Sequence, residues 1–115
     1  MEILQTSQRV MEAALEVRSE RAELLAGNIA NADTPGYITR DIKFDDAMNR
    51  VLDDQDSAAV PSKDVLAPEN LRYDGNNVDV DQQVAKSYQN TLNYSATLRL
   101  YGDSVNRLRA ATSSS

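Results

Sequence analysis

The chain has 115 residues, a formal net charge of −6 and a hydrophobic fraction of 41 %, with one Phe and no Trp. It is long enough for at most one domain, and it has few large side chains for a thick core, so we expect an elongated molecule that completes its burial against partners. Because Cys and His are absent, disulfides, thiolate or imidazole metal ligands and the commonest general base are excluded.

The first predicted element is a helix over residues 3–32, which makes up most of the N-terminal segment 1–32. Its apolar positions alternate in steps of three and four, the 3.5-residue repeat of a coiled-coil seam. A second apolar row lies beside the seam, so the apolar face is wider than one partner helix requires. The seam consists of Leu4, Gln8, Met11, Leu15, Arg18, Ala22, Leu25, Ile29 and Ala32, and the second row of Ile3, Val10, Ala14, Val17 and Leu24.

A chain reversal is predicted after this helix. The sequence TPGY at residues 34–37 fits a type II β-turn, since Pro35 sets the first central φ and Gly36 supplies the positive φ at the second. The residue before a proline is disfavoured in the α region, which ends the helix. Asn28 and Asn31 lie one turn apart, and their amides are expected to bond the reversing backbone or a neighbouring subunit. The alternative is that both are exposed residues of a frayed helix end.

The middle segment, residues 33–78, holds all three prolines and is predicted to be largely irregular. A short amphipathic helix is expected over residues 41–52. We interpret residues 53–64 as a flexible loop, and Asp74-Gly75 as a turn or hairpin signal with short extended stretches on either side. The apolar face of the short helix consists of Phe44, Ala47, Met48, Val51 and Leu52.

The second long helix is predicted over residues 79–111, within the C-terminal segment 79–115. Asp79 and Gln82 have the spacing of a capping box, with Asp79 as the N-cap. Gly102 costs about 1 kcal/mol relative to Ala in a helix interior, and it marks either a close approach between helices or a tolerated weak position. The seam consists of Val84, Ser87, Thr91, Tyr94, Leu98, Tyr101, Val105, Leu108 and Thr112, and Val80 and Tyr88 widen it.

The charge distribution favours pairing of the two long helices. Residues 1–40 carry a net charge of −2, residues 41–81 of −7 and residues 82–115 of +3. A mildly acidic helix and a basic helix attract each other, and the acidic middle argues against a nucleic-acid partner. We therefore predict a mostly α fold in which the long helices form an antiparallel coiled coil. The residues expected to be buried between them are Leu15, Leu25 and Ile29 on one helix and Leu98, Val105 and Leu108 on the other.

No catalytic, metal or cofactor site is predicted. Residues 74–81 resemble a calcium loop only briefly, because an EF-hand needs Gly at its sixth position and Glu at its twelfth. Here the glycine is Gly75, the second residue, and Ala85 stands at the twelfth. No Ser has a base at a convincing spacing, and adjacent aspartates on a helix point in different directions. An enzyme is therefore disfavoured.

The sequence NIANADTPGY, residues 28–37, resembles the N-terminal signature of the bacterial flagellar rod, hook and hook-associated proteins. In that family a helix ends in an Asn-x-Ala-Asn element that is followed by Thr-Pro-Gly-Tyr. The short chain, RDIKF at residues 40–44 and DGNNVDVDQQVAKSYQNTLNY at residues 74–94 are most similar to the proximal members of the basal-body rod protein family. The matching signature positions are Asn28, Ala30, Asn31, Thr34, Pro35, Gly36 and Tyr37.

This resemblance implies a structural role without catalysis or cofactors. Members of the family are axial subunits whose terminal helices pair as a coiled coil around a central channel. They leave the cytoplasm through the flagellar type III export apparatus without a cleaved signal peptide, and they assemble in the periplasm into a torque-transmitting shaft. The implied partners are further copies of the chain, rod proteins of the FlgC, FlgF and FlgG types, the ring-to-rod adaptor FliE and the export apparatus. Neither nucleic acid nor direct membrane insertion is implied.

Two alternatives stay open at this stage. A soluble coiled-coil adaptor or export partner would share the two seams, but it would have no use for the reversal at residues 28–37. Arg18 also has two interpretations, because a charge in a seam is costly to bury without a partner. It either pairs with another subunit and sets the register along the rod, or covers apolar surface with its stem while the guanidinium reaches water.

Overall fold

The computed structural model describes residues 2–53 and 79–113, apart from the side chain of Leu4. In this part of the chain there are three helices, α1 over Glu2–Ala30, α2 over Phe44–Asp53 and α3 over Val80–Ser113. They form a body that measures 67 × 26 × 17 Å. The mostly α fold, with two long helices packed together and a short one between them, is confirmed. The predicted loop over residues 53–64, except Asp53, and the Asp74-Gly75 turn lie outside the described residues.

Three hydrogen bonds between α1 and α3 establish that these helices run antiparallel. As residue numbers fall along α1, those of the bonded residues rise along α3, so the first turns of α3 lie beside the last turns of α1. The three bonds join Asn28 Nδ2 to Gln83 Oε1 at 2.9 Å, Asn90 Nδ2 to the Arg18 carbonyl at 2.9 Å, and Tyr101 Oη to Glu12 Oε1 at 2.7 Å.

Val17 and Leu24 of the second apolar row of α1 pack against α2 and the segment before it, whereas Ile3 and Val10 of the same row are exposed. Val17 of this row is fully buried and contacts Ile42 and Ala47 in one hydrophobic cluster. Burying a Val side chain contributes about 1.5–3 kcal/mol. This packing explains why the apolar face of α1 is wider than a single partner requires: one side serves α3 and the other serves α2. Leu24 of α1 and three residues of α2 complete the cluster: Phe44, Met48 and Val51. The predicted apolar face of the short helix is confirmed at these three positions and at Ala47.

The helix boundaries differ by a few residues from those predicted. The first helix ends at Ala30 rather than residue 32, and α2 begins at Phe44 rather than residue 41. Residues 41–43 belong instead to the segment before α2, where the Asp41 carboxylate accepts the N–H of Ile42 at 2.7 Å.

The start of α3 is capped as predicted. The Gln82 N–H donates to Asp79 Oδ1 at 3.3 Å, and the Gln83 N–H donates to the Asp79 carbonyl at 3.0 Å. Asp79 is therefore the N-cap. At Gly102, by contrast, a Cβ would meet nothing within 4 Å. The interpretation of Gly102 as a close approach between α1 and α3 is wrong, and it is a weak position in the helix.

The predicted burial along the seams is only partly correct. Leu25 is fully buried, while Leu15, Ile29, Val105 and Leu108 are half-buried. The expectation that Leu98 is buried is wrong, since 49 % of it is exposed. The reason is the rotation of α3, which turns polar side chains toward α1 and carries the predicted apolar seam to the edge of the contact. In the described part of the chain, none of the helices has the length and hydropathy needed to cross a membrane.

Candidate functional site

The reversal after α1 is a type II turn, as the sequence predicts. The Tyr37 N–H donates to the Thr34 carbonyl at 3.2 Å, and Gly36 has a φ of +74°. The end of α1 is closed by Asn31, whose Nδ2 donates to the Gly27 carbonyl at 2.8 Å and whose Oδ1 accepts the Thr34 hydroxyl at 3.2 Å. The turn and the helix end therefore form one bonded unit.

Asn28 ties this unit to the rest of the fold. Its side chain is fully buried, with Nδ2 donating to the Arg40 carbonyl at 2.7 Å and to Gln83 Oε1 at 2.9 Å. Its Oδ1 accepts the Arg40 N–H at 3.0 Å and the Tyr37 hydroxyl at 3.4 Å. One amide thus joins α1, α3 and the returning segment, which consists of residues 37–43 between the turn and α2. The expectation that the amides bond the reversing backbone is confirmed for Asn28, whereas the Asn31 amide bonds the helix carbonyl of Gly27 and the Thr34 hydroxyl. The alternative of a frayed, exposed helix end is wrong.

A second polar cluster lies one residue further along the returning segment. The Asp41 carboxylate forms an ion pair with Arg21 of α1 at 2.8 Å and with Lys86 of α3 at 3.6 Å. Burial alone raises the pKa of Asp41, but the hydrogen bonds from Arg21 and the Ile42 N–H, together with the charges of Arg21 and Lys86, outweigh it and hold the pKa below its ordinary value. Asp41 is therefore a second point at which three elements meet.

Arg18 is half-buried and contacts α2 of its own chain. Its guanidinium carbon stands 4.0 Å from the centroid of the Phe44 ring on α2, a distance typical of a cation–π contact. Its Nε is buried and has no hydrogen-bond partner in the described part of the chain. Burial, followed by the nearby charge of Arg21, lowers the pKa of Arg18. Whether Arg18 also contacts another subunit stays a prediction.

The predicted seam residues occupy different environments. The side chain of Leu4 lies outside the described part. Leu25 is buried, and Ala22, Val84 and Leu98 are exposed. The half-buried seam residues are Met11, Leu15, Arg18, Ile29, Tyr94, Tyr101, Val105 and Leu108. Of the signature, Asn28 is buried, Asn31 and Tyr37 are half-buried, and Ala30, Thr34, Pro35 and Gly36 are exposed. Their role in contacts between subunits stays a prediction.

Sequence reasoning missed the polar residues of α3 that face α1. Gln83 and Asn90 are almost fully buried, and they stand seven residues apart, which is one heptad. A heptad spacing of two amide side chains indicates that both face the same partner helix. The apolar pattern instead predicted that Val84 and Leu98 face it. Arg40 and Asp41 were missed as well, since nothing local distinguishes them from surface charges.

Large apolar side chains are uncovered along the outside of the body. On α3 these include Tyr88 and Leu92, which are 68 % and 54 % exposed. Near the start of α1 and the end of α3 there is also an open groove of about 540 Å³, whose wall includes Val10, Met11 and Leu100. In the described residues no three acidic side chains converge to hold a metal ion. Uncovered apolar surface of this kind is typical of sites that bind other proteins.

No family model matches the chain. Curated proteins do resemble it over most of its length. A protein of Aeromonas hydrophila named flagellar basal body rod protein FlgB is 34 % identical in an alignment of 117 positions, gaps included, that covers 89 % of each chain. The protein of the same name from Salmonella typhimurium is 32 % identical over 123 aligned positions, again covering 89 % of each chain. The FlgB protein of Escherichia coli K12 is 34 % identical over 116 aligned positions, which cover 83 % of this chain and 84 % of that one.

Proposed function

Because the chain belongs to the FlgB family of flagellar basal-body rod proteins, we propose that it polymerises with itself and with other axial proteins in the proximal part of the rod. In this role it is one subunit of the torque-transmitting shaft that surrounds the export channel. Its partners are rod proteins of the FlgC, FlgF and FlgG types, the ring-to-rod adaptor FliE and the export apparatus.

The observation that carries polymerisation is the uncovered length of both long helices. A body 67 Å long leaves Ile3, Val10, Leu92 and Leu100 between 37 % and 82 % exposed. Apolar surface on this scale marks protein–protein contacts in soluble chains. Contacts between unlike faces of identical subunits produce an open helical array rather than a closed ring when the rotation does not close. Such an array is what a shaft requires.

The rigid hairpin supports a mechanical role. Asn28 and Asp41 each tie the returning segment to both long helices, so the end of the hairpin near the reversal is cross-linked by polar bonds as well as by packing. Polar networks in which the partners are satisfied restrict alternative arrangements of the elements that they join. Torque that reaches one helix would therefore be passed to the other without shear between them.

Export without a cleaved signal peptide is also part of the proposal. The first thirty residues are not separate from the fold, because Ala13, Ala14 and Val17 of α1 are buried in it. Removal of a segment that includes them would destroy the contacts with α2 and α3. The chain therefore suits a route that leaves its N-terminal helix intact, as the type III apparatus does.

The test is to locate the chain in basal bodies of its source bacterium. The chromosomal copy is deleted, a tagged copy is supplied, and basal bodies are purified and labelled for electron microscopy. We expect the deletion strain to be non-motile with rods absent, and the tagged chain to be found in the rod of the complemented strain. A tagged chain that stays in the cytoplasm with another protein, while rods form normally, would instead identify a soluble adaptor.

A further inference from the structure

The outer side of α3, which faces away from α1, is both apolar and basic. Val84, Tyr88 and Leu92 follow one another in steps of four, so they lie along one side of the helix, and they are 49 %, 68 % and 54 % exposed. Arg99 continues this line seven residues after Leu92, and Arg109 flanks it near the helix end. We call these five residues the outer face of α3; both arginines are exposed.

The outer side of α1 has the opposite character. Glu16, Ser19, Glu23 and Ala26 follow one another in steps of three and four, and all four are exposed. They lie on the side opposite to the buried residues Val17, Leu25 and Asn28 of the same helix. We call them the outer face of α1. It is acidic, and its small side chains at two positions allow another helix to approach closely.

We propose that the outer face of α1 in one copy of the chain binds the outer face of α3 in a second copy. This inference rests on the proposed function and names the contact through which like subunits join. Opposite charges make the two faces complementary, and the small residues of one leave room for the bulky side chains of the other. The faces cannot meet within one chain, because each points away from the helix pair to which it belongs.

The charges that would form this contact are available. In the part of the chain that the structure describes, Glu16, Glu23, Arg99 and Arg109 form no ion pair. At 1.5 Å per residue, the two glutamates lie about 10 Å apart along α1 and the two arginines about 15 Å apart along α3. The two spacings differ, but Glu and Arg side chains are long and flexible enough for each glutamate to reach an arginine. The contact joins unlike faces, so an array of copies always has a free outer face of α1 at one end and a free outer face of α3 at the other. Further copies can therefore add at either end.

The contact is tested with charge reversals in the full chain. An acid-face variant carries Glu16→Arg and Glu23→Arg, and a base-face variant carries Arg99→Glu and Arg109→Glu. Self-association is measured by sedimentation equilibrium at about 50 mM salt and again at about 500 mM salt, where exposed charges are screened. Circular dichroism verifies that each variant keeps its helix content. A control variant, Asp33→Arg with Asp53→Arg, makes the same change in net charge as the acid-face variant, but at exposed positions outside both faces.

We expect each variant alone to associate at least about tenfold more weakly than the wild-type chain, because like charges then oppose each other at the contact. An equimolar mixture of the two variants should associate as the wild type does, since the reversed α1 of one meets the reversed α3 of the other. A chain that carries all four reversals should recover as well. The control should behave as the wild type, and high salt should weaken wild-type association.

Three outcomes overturn the inference. These are a wild-type chain that stays monomeric and joins only other rod proteins, reversals that leave association unchanged, or a mixture and a fourfold variant that fail to recover. None of these outcomes contradicts the rod assignment, which depends on finding the chain in purified basal bodies. If the chain is found there but the charge reversals do not change its self-association, the proposed function stands and the proposed contact is wrong.

Discussion

The side chain of Asn28 bonds both backbone groups of Arg40, donating to the carbonyl at 2.7 Å and accepting the N–H at 3.0 Å. The amide replaces the backbone partner that a neighbouring strand would otherwise supply to this extended segment. Asn28 is itself fully buried, so these bonds are made by an amide that is shielded from water. Asn28 is therefore one of the side chains that fix the path of the chain from α1 to α2, together with Asp41.

Asn28→Ala should destabilise the chain by about 3 kcal/mol, because it removes the two bonds to the backbone of Arg40 and the buried bond to the side-chain amide of Gln83. Asn31→Ala is the matched control, since Asn31 is only half-buried and bonds within its own helix end. We expect a loss of about 1 kcal/mol there. Urea unfolding followed by circular dichroism measures both values. Equal losses of stability in the two variants would show that the bonds from Asn28 to Arg40 contribute no more than the local bonds of Asn31.

Gly36→Val should destabilise the type II turn by about 1–3 kcal/mol, because a β-branched residue is strained at a φ of +74°. A Cβ at Gly36 would meet nothing within 4 Å, so backbone strain is the whole effect. Cells that carry the variant should lose motility while secretion of the chain is largely retained. Gly102→Ala, which has equal space but no positive φ, should instead stabilise α3 by about 1 kcal/mol. Normal swimming by the Gly36→Val strain would show that the turn is unimportant for assembly.

Arg18→Leu distinguishes a role within the chain from a role between subunits. The guanidinium already stacks on Phe44 of the same chain at 4.0 Å. Leu loses this contact, but it also removes a buried Nε that has no hydrogen-bond partner in the described part of the chain, so the two effects offset each other. We expect the free energy of unfolding to change by less than about 1 kcal/mol and basal bodies to form in wild-type numbers. Electron microscopy of cells with only this variant provides the count. A shortage of basal bodies with normal export would support a contact that sets the register along the rod.

Asp41→Asn should make the chain less stable at neutral pH but hardly less stable in acid. The pKa of Asp41 is lower in the folded chain than in the unfolded one. The ionised carboxylate therefore contributes stability above about pH 4, and this contribution is lost as the pH falls through the folded-state pKa. Removing the ion pairs to Arg21 and Lys86 should cost about 1–2 kcal/mol at pH 7. The difference from the wild type should shrink toward pH 2 in urea titrations.

Asp33→Asn is the control for this experiment, because Asp33 is exposed. We expect the free energy of unfolding of this variant at pH 7 to be close to that of the wild type. A constant deficit for Asp41→Asn across the acid range would contradict the assignment, because it would show that the charge of Asp41 contributes nothing.

Hydrogen exchange in the purified chain should be uneven along the helices. Buried residues are concentrated between Ala13 and Asn28 of α1 and at the start of α3, whereas Ile3 and Leu100 are largely exposed. We expect slow exchange near Leu25 and fast exchange at the start of α1 and the end of α3, with a thermal transition of low cooperativity. Uniformly slow exchange at both ends and a sharp two-state melt would contradict this expectation.

The sequence by itself determined the elements of this protein whose causes are local. A 3.5-residue apolar repeat produces the two long helices, Pro35-Gly36 produces the type II turn, and Asp79 produces the N-cap of α3. The apolar face of α2 follows from periodicity in the same way. Each of these depends on residues within a few positions of one another, and all of them are present in the structure.

Only the tertiary structure decided which face of α3 turns toward α1. The apolar pattern favoured Val84 and Leu98, yet both are 49 % exposed, and Gln83 and Asn90 are buried in their place. A polar side chain is buried at low cost only when its partners are in reach. Here those partners lie 55 residues away for Gln83, which accepts from Asn28, and 72 residues away for Asn90, which donates to the Arg18 carbonyl. Periodicity counts apolar residues along one helix, and it carries no information about bonding groups that only folding brings opposite.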